Sequence, residues 1–105
     1  MTTDKNILDC PIEPVVNILS GKWTPLILWE ISIGNNRYGS IHKRLPEMST
    51  RTLSQRLRML EKSGIVNRKV LPTMPPTVKY EPTEKGWALK PILLAMRSWS
   101  EKYCN

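Results

Sequence analysis

The sequence of 105 residues is poor in the side chains that carry most enzyme chemistry. Its two cysteines, Cys10 and Cys104, stand near opposite ends, so they form no disulfide framework and a reducing cytoplasm is expected. Its one histidine, His42, has no evident catalytic partner. These three side chains do not complete a tetrahedral zinc site without carboxylates or a second chain. We therefore predict no enzyme activity, no metal site and no cofactor.

Glycine and long apolar runs are also scarce. The five glycines stand singly, which excludes a glycine-rich phosphate loop. The longest uncharged stretch, 70–78, has nine residues and three prolines, whereas a membrane span needs about 20 apolar residues. The first ten residues lack a basic start followed by an apolar run. We therefore predict no signal peptide and no membrane partner.

The aliphatic residues and the charge are what the chain does supply. Leucine, isoleucine and valine make up about a quarter of the residues, enough for one domain with its own core. A domain this small still leaves much surface unburied, so a partner subunit is expected. Residues 37–69 hold nine basic and two acidic side chains, so the whole net charge of +7 lies there. This imbalance favours a polyanion, with double-stranded DNA first.

Glycine and proline divide the first third of the chain into two predicted helices. The first covers about 11–20 and is regular only from near Glu13, because Pro14 disturbs its start. The second begins at a cap formed by Thr24 ahead of Pro25 and ends at Gly34. It is apolar on nearly all sides, which predicts a central, buried helix.

A helix-turn-helix is predicted next. An extended piece at 37–38 precedes a short third helix over Ser40–Leu45, which Pro46 ends. A fourth helix has its cap at Ser49–Thr50, runs to Ser63 and stops at Gly64. Its apolar stripe consists of Leu53, Leu57 and Leu60.

Two extended segments, 65–71 and 78–81, predict a β-hairpin. Their proline-rich connection suits neither a helix nor a central strand, so we expect residues 71–78 to protrude as a wing loop. A last helix starts at a Thr83 cap and is most regular after Pro91. We therefore predict a single mainly α domain over 1–105, a winged helix-turn-helix with a flexible tail at 1–9.

The polar face of the fourth helix and the cations around it are the candidate DNA contacts. A recognition helix in the major groove needs cations for phosphates and polar side chains for base edges. The candidates are Arg37, Lys43, Ser49, Thr50, Arg51, Thr52, Ser54, Gln55, Arg58, Lys69 and Lys79. Two alternatives stay open: a merely solvated helix surface, or a winged-helix protein-interaction module without specific DNA readout.

Three stretches together carry a resemblance to a known family. They are GKWTPLILWEI from Gly21, RYGSIHKRLPEMSTRTLSQRLRMLEKSGIVNRKV from Arg37, and PPTVKYEPTEKG from Pro75. In combination they resemble the HxlR-type winged-helix transcription regulators of bacteria and archaea, from Cys10 to the last helix. Gly39 departs from the pattern, since the family often has a serine cap there. The resemblance implies a homodimeric DNA-binding regulator, with repression expected, whose fourth helix reads DNA while its wing meets the adjacent backbone or minor groove.

The terminal helices are the expected dimer interface, by resemblance and because the last helix shows more apolar surface than a small domain needs. The candidate interface residues are Leu93, Met96, Trp99 and Tyr103. A two-fold dimer would bind a near-palindromic operator with half-sites about one helical turn, or a multiple of it, apart. The alternative is that this stripe packs within its own chain.

The cysteines are candidates for a redox switch. Cys10 precedes a proline at a predicted helix start, where the partial positive charge favours a thiolate unless Pro14 delays the helix. Family members with a cysteine at this position often sense oxidants or electrophiles such as quinones and aldehydes. By resemblance, Cys10 would sense a small electrophile or oxidant, and Cys104 of the second chain would be its resolving partner. The alternative is a pair of inert thiols.

Overall fold

The computed structural model describes residues 11–104. Their fold is mainly helical with one antiparallel hairpin, so the predicted winged helix-turn-helix is confirmed. The predicted tail at 1–9 and Cys10 lie outside the described residues. In chain order the elements are α1 (Glu13–Ile18), α2 (Trp23–Ser32), α3 (Tyr38–Arg44), α4 (Thr50–Lys62), β1 (Val66–Leu71), β2 (Thr77–Pro82), α5 (Glu84–Trp87) and α6 (Lys90–Tyr103).

Helices α2 and α4 end in the same way, at glycines with positive φ. Gly34 has φ +97° and Gly64 has φ +74°, a region that side chains with a Cβ rarely enter. After α4, the Ile65 N–H donates to the Leu60 carbonyl at 2.9 Å, and the Gly64 N–H donates to the Glu61 carbonyl at 3.0 Å. These two bonds make a Schellman motif. The same pair of bonds follows α2, where the Asn35 N–H donates to the Glu30 carbonyl at 2.9 Å and the Gly34 N–H to the Ile31 carbonyl at 3.1 Å, so both predicted stops are confirmed.

The start of α2 differs from the prediction. Thr24 does not cap the helix, because α2 begins at Trp23 and its N-cap, Lys22, makes no side-chain hydrogen bond. Thr24 is instead fully buried, and its hydroxyl has no hydrogen-bond partner among the described residues. The cap prediction was wrong because the local signal gave way to packing of the first turn of α2 in the core.

The starts of α3 and α4 define the helix-turn-helix. Helix α3 begins at Tyr38, two residues earlier than predicted, after the extended Arg37. Arg37 forms an isolated antiparallel bridge with Lys79 of β2, so the predicted extended piece is present but shorter. The predicted cap of α4 is confirmed, since the Ser49 Oγ accepts a hydrogen bond from the Thr52 N–H at 3.0 Å.

The hairpin pairs β1 with β2 from Val66 opposite Pro82 to Leu71 opposite Thr77. β1 begins one residue later than predicted, whereas β2 is one residue longer at each end, and the loop between them is 72–76 rather than the predicted 71–78. The last helical region is split into α5 and α6 around 88–89, as the weak first half predicted.

The joint between the hairpin and α5 is a close backbone contact. A Cβ at Gly86 would overlap the carbonyl oxygen of Ile65, so only glycine fits there. The Thr83 hydroxyl caps α5 by accepting from the Gly86 N–H at 3.1 Å, and it donates to the Gly64 carbonyl at 2.5 Å. The end of α4, the start of β1 and the start of α5 are therefore fixed together.

The core lies where α2, α3 and α4 meet the base of the hairpin. Ile27, Ile41, Leu53 and Leu57 are among the side chains with almost no exposed surface. The α6 helix packs on α2 and contributes Leu93 to this core. Within residues 11–104, none of the helices has the length and apolar character needed to cross a membrane.

Candidate nucleic-acid interface

Helix α4 presents a polar, cationic face to the outside of the molecule. Arg51, Gln55 and Arg58 follow one another at spacings of four and three residues and are exposed, while the leucines on the other side are buried. Thr50 is exposed at the first turn. This face has the cations that contact phosphates and the amide that can read a base edge.

Three of the predicted contact residues are held by hydrogen bonds within the chain. The Ser49 hydroxyl caps α4 and also donates to the Thr52 Oγ1 at 3.0 Å. The Ser54 Oγ lies 2.9 Å from the Tyr38 hydroxyl, which is also 3.1 Å from the carbonyl of Thr50. These bonds fix the first turns of α4 and join α4 to α3.

Side-chain contacts also hold α3 and the turn that follows it. The His42 Nε2 donates to the Met48 carbonyl at 2.9 Å, so this histidine positions the turn. Glu30 of α2 is almost fully buried and accepts from the Arg44 Nε at 3.3 Å and the Asn35 Nδ2 at 2.8 Å. A buried carboxylate needs such partners, so Arg44 is committed to the scaffold.

The wing divides its charges between two faces. Side chains on directly opposed strand residues share a face, and successive residues alternate. Lys69 stands opposite Lys79, and Glu81 bridges both, with nitrogen–oxygen distances of 2.9 and 3.4 Å. The hydrogen bonds from Lys69 and then Lys79 lower the pKa of the Glu81 carboxyl. Both predicted wing cations are therefore paired, not free.

Arg68 is the wing cation that the predicted set of DNA contacts omits. It lies opposite Tyr80, on the face that turns toward α4, and it is exposed. Together with Ser54, Arg58 and Tyr80 it lines a cleft of about 540 Å³. The signal that could have found it is the alternation of side chains along β1, which places Arg68 and Lys69 on opposite faces of the strand.

A second concavity lies between the start of α3 and the wing loop. It measures about 430 Å³ and includes Arg37 and Lys43 among its lining residues. Both cations are exposed. These two predicted contact residues thus lie at one concavity next to the wing loop.

The unpaired cations are concentrated in one part of the described chain. Among residues 11–104, the basic side chains with no ion pair, hydrogen bond or aromatic contact all fall between positions 37 and 68. They are Arg37, Lys43, Arg51, Arg56, Arg58, Lys62 and Arg68. The local positive charge is therefore available to a polyanion.

The chain offers little for metal chemistry in the part that the structure describes. No group of three or more histidine, cysteine, aspartate or glutamate side chains lies close enough there to hold a metal ion. Cys104 is a free thiol, exposed just after the end of α6.

Helix α6 carries a second exposed surface, and it is apolar. Ile92, Met96, Trp99 and Tyr103 recur at spacings of four and three residues, and Trp99 and Tyr103 are about three-fifths exposed. Leu93, which was predicted at the dimer interface, is only 6% exposed because it packs on its own core. The exposed stripe continues toward Leu26 of α2, which lines an apolar groove with Met96.

The fold and the cationic α4 define a winged helix-turn-helix protein. The model of the HxlR-like helix-turn-helix family matches residues 18–105, so the chain belongs to this family. A relative from Methanothermobacter thermautotrophicus, named an uncharacterised HTH-type transcriptional regulator, is 43% identical over 94 residues. The match covers 90% of this chain and 72% of that protein.

Solved structures are similar in the same way. The redox regulator HypR in its reduced form has a TM-score of 0.84 and 35% identity, over 90% of this chain and 94% of that chain. The reduced form of the transcriptional regulator YodB from Bacillus subtilis has a TM-score of 0.77 and 36% identity, over 91% and 96% of the two chains. This chain is therefore similar in sequence as well as in fold to these two regulators.

Proposed function

We propose that this protein is a transcriptional regulator that binds double-stranded DNA with α4 in the major groove. The observation that carries the proposal is the exposed row of Arg51, Gln55 and Arg58, none of which has a partner within residues 11–104. Exposed arginines without partners can neutralise DNA phosphates, which releases the counterions condensed on the DNA. Glutamine can form two hydrogen bonds with adenine in the major groove. Membership of a helix-turn-helix family supports the same role.

We propose that the DNA-binding form is a two-fold dimer built on α6. The stripe of Ile92, Met96, Trp99 and Tyr103 supports this, because a helix that exposes large apolar side chains in a row favours a partner. A second copy of the chain can present the same stripe, which makes a self-complementary two-fold contact. Such a dimer places two α4 helices on a near-palindromic operator.

The proposal is tested by selecting duplexes from a random-sequence pool with the reduced protein. The expected result is an enriched inverted repeat bound with steep salt dependence. Arg51→Ala should weaken binding to it by about 1 to 3 kcal/mol if the side chain reads a base. The matched control is Lys22→Ala, which removes one charge outside 37–69 and should leave binding nearly unchanged.

The alternative of a protein-interaction module predicts a different outcome. The pool would then show only weak, salt-sensitive background binding without an enriched sequence. Arg51→Ala would bind DNA like the unmodified chain. That pair of results would overturn the DNA-reading role of α4.

We propose further that oxidation of Cys10 regulates DNA binding. The likeness to a redox regulator and the exposed Cys104 after α6 support this proposal. Diamide would take two electrons and two protons from the two thiols, leaving a disulfide between Cys10 of one chain and Cys104 of the other. Intact mass under non-reducing conditions should then double, and Cys10→Ser should abolish the change. No adduct or disulfide at Cys10, with DNA binding unchanged, would contradict a sensing role.

A further inference from the structure

The cleft between α4 and the wing is built from two rigid walls. One wall carries Ser54 and Arg58, and Ser54 is held by the Tyr38 hydroxyl at 2.9 Å. The other carries Arg68 and the buried Tyr80, whose backbone N–H donates to the Asn36 carbonyl at 2.7 Å. These hydrogen bonds hold α4 and the hairpin in place. They therefore fix the backbone positions from which the Arg58 and Arg68 side chains extend.

The two arginines of the cleft differ from the lysines of the wing in their availability. Arg58 and Arg68 are exposed and have no ion pair within the described residues. Lys69 and Lys79 lie on the opposite face of the hairpin and are both bound to Glu81. A guanidinium group donates two parallel hydrogen bonds to phosphate oxygens, which makes arginine well suited to a phosphodiester.

We propose that this cleft seats a phosphodiester of the DNA backbone between Arg58 and Arg68. Arg68 is then the wing's DNA contact, in place of Lys69 and Lys79. This proposal rests on the proposed function, since it requires that α4 meets DNA. Because a phosphate carries no sequence information, the contact orients the protein on any duplex and adds affinity without adding specificity.

Glu61 gives the cleft a feature that a purely structural arginine pair would not have. Its carboxylate lines the same cleft, and no ion pair joins it to Arg58 or Arg68 in the described chain. A negative charge beside a bound phosphate is repulsive. Glu61→Gln should therefore tighten DNA binding, whereas Arg68→Ala should weaken it.

The test compares two neighbouring residues that carry the same charge. Arg68→Ala and Lys69→Ala each remove one positive charge per chain. The two native side chains point to opposite faces of the hairpin. Binding of each dimeric variant is measured by fluorescence anisotropy on the selected duplex and on a random duplex of the same length, across a salt series. Because a dimer holds two copies of Arg68, Arg68→Ala should weaken binding to both duplexes about equally, by about tenfold, and reduce the slope of log K against log salt by about 1.8.

The outcomes distinguish the phosphate cleft from the proposed role of α4 in binding DNA. Weakening by Arg68→Ala and Arg51→Ala, with Lys69→Ala unchanged and Glu61→Gln tighter, supports the phosphate cleft. If Arg51→Ala weakens binding but Lys69→Ala costs as much as Arg68→Ala, the cleft is overturned while α4 keeps its role. If no variant changes the affinity, both proposals fail. Circular dichroism of each variant establishes that it is folded.

Discussion

Helices α4 and α6 are alike in length and opposite in what they show to solvent. Helix α4 buries Leu53, Leu57 and Leu60 and exposes arginines, whereas α6 has Leu93 as its one buried residue and exposes large apolar side chains. Charged side chains are stable in water, but a continuous apolar row is not. The core of one chain is therefore enough for α4, whereas α6 leaves an apolar row that the proposed dimer would cover.

The largest contrast concerns the core side of α4. Leu57→Ala should lower the free energy of unfolding by about 2 to 5 kcal/mol, because Leu57 is 1% exposed and its removal leaves a cavity. Urea denaturation at one fixed protein concentration measures it. A loss below about 1 kcal/mol would mean that α4 contributes little to the core, contrary to the burial of its leucines.

The apolar side of α6 gives the next effect. Trp99→Glu should weaken association by about 2 kcal/mol or more, because it places a charge in the centre of the proposed interface. Analytical ultracentrifugation should show the mass of one chain, with helical circular dichroism retained. The matched control is Gln55→Glu on the exposed face of α4, which should remain a dimer. A dimer that survives Trp99→Glu would remove α6 from the interface.

The helix starts provide a smaller contrast. Helix α4 has a side-chain cap at Ser49, whereas the N-cap residue of α6, Leu89, makes no side-chain cap bond. Ser49→Ala should therefore lower the free energy of unfolding by about 1 kcal/mol, while Ser49→Asp should retain it because a carboxylate accepts the same bond. Thermal unfolding of the three proteins checks this. Equal stability of all three would mean that the cap bond adds nothing.

The smallest expected effect is on stability, when an arginine is removed from α6 or from α4. Arg97 of α6 pairs with Glu101 at 3.3 Å and lies over Trp29, with 5.3 Å to the ring centroid. Arg97→Ala should cost about 0.5 kcal/mol of stability. Arg51→Ala on α4 should cost less, since Arg51 has no partner in the described residues, and should affect DNA binding instead. Urea denaturation of both variants would contradict this contrast if Arg51→Ala were the less stable one.

Much of the fold follows from local signals in the sequence. The leucine row of α4, the Ser49 cap and the stops at Gly34 and Gly64 each depend on residues within one or two turns of one another. Such signals are legible without knowing the neighbours. Thr24 is an exception to these local signals. Its residue type suits a helix cap, but its side chain is buried in the core.

The site was less predictable because some of its cations form ion pairs with residues far away in the sequence. Arg44 lies in the positive segment and Lys69 is one of the predicted DNA contacts, yet each is bound to a carboxylate 12 or more positions away, Glu30 and Glu81. Counting charge finds the positive segment but does not tell which cations are already paired. Strand alternation did carry the information that Arg68 and Lys69 face opposite sides.

The contact at Gly86 has a mechanical consequence. It presses the chain that leads into α6 directly against the carbonyl of Ile65, one residue before the wing begins. No side chain stands between them to absorb a displacement. In the proposed dimer, a change of angle between two α6 helices would therefore be transmitted to the wing and the end of α4, much as a lever turns about a short, stiff axle.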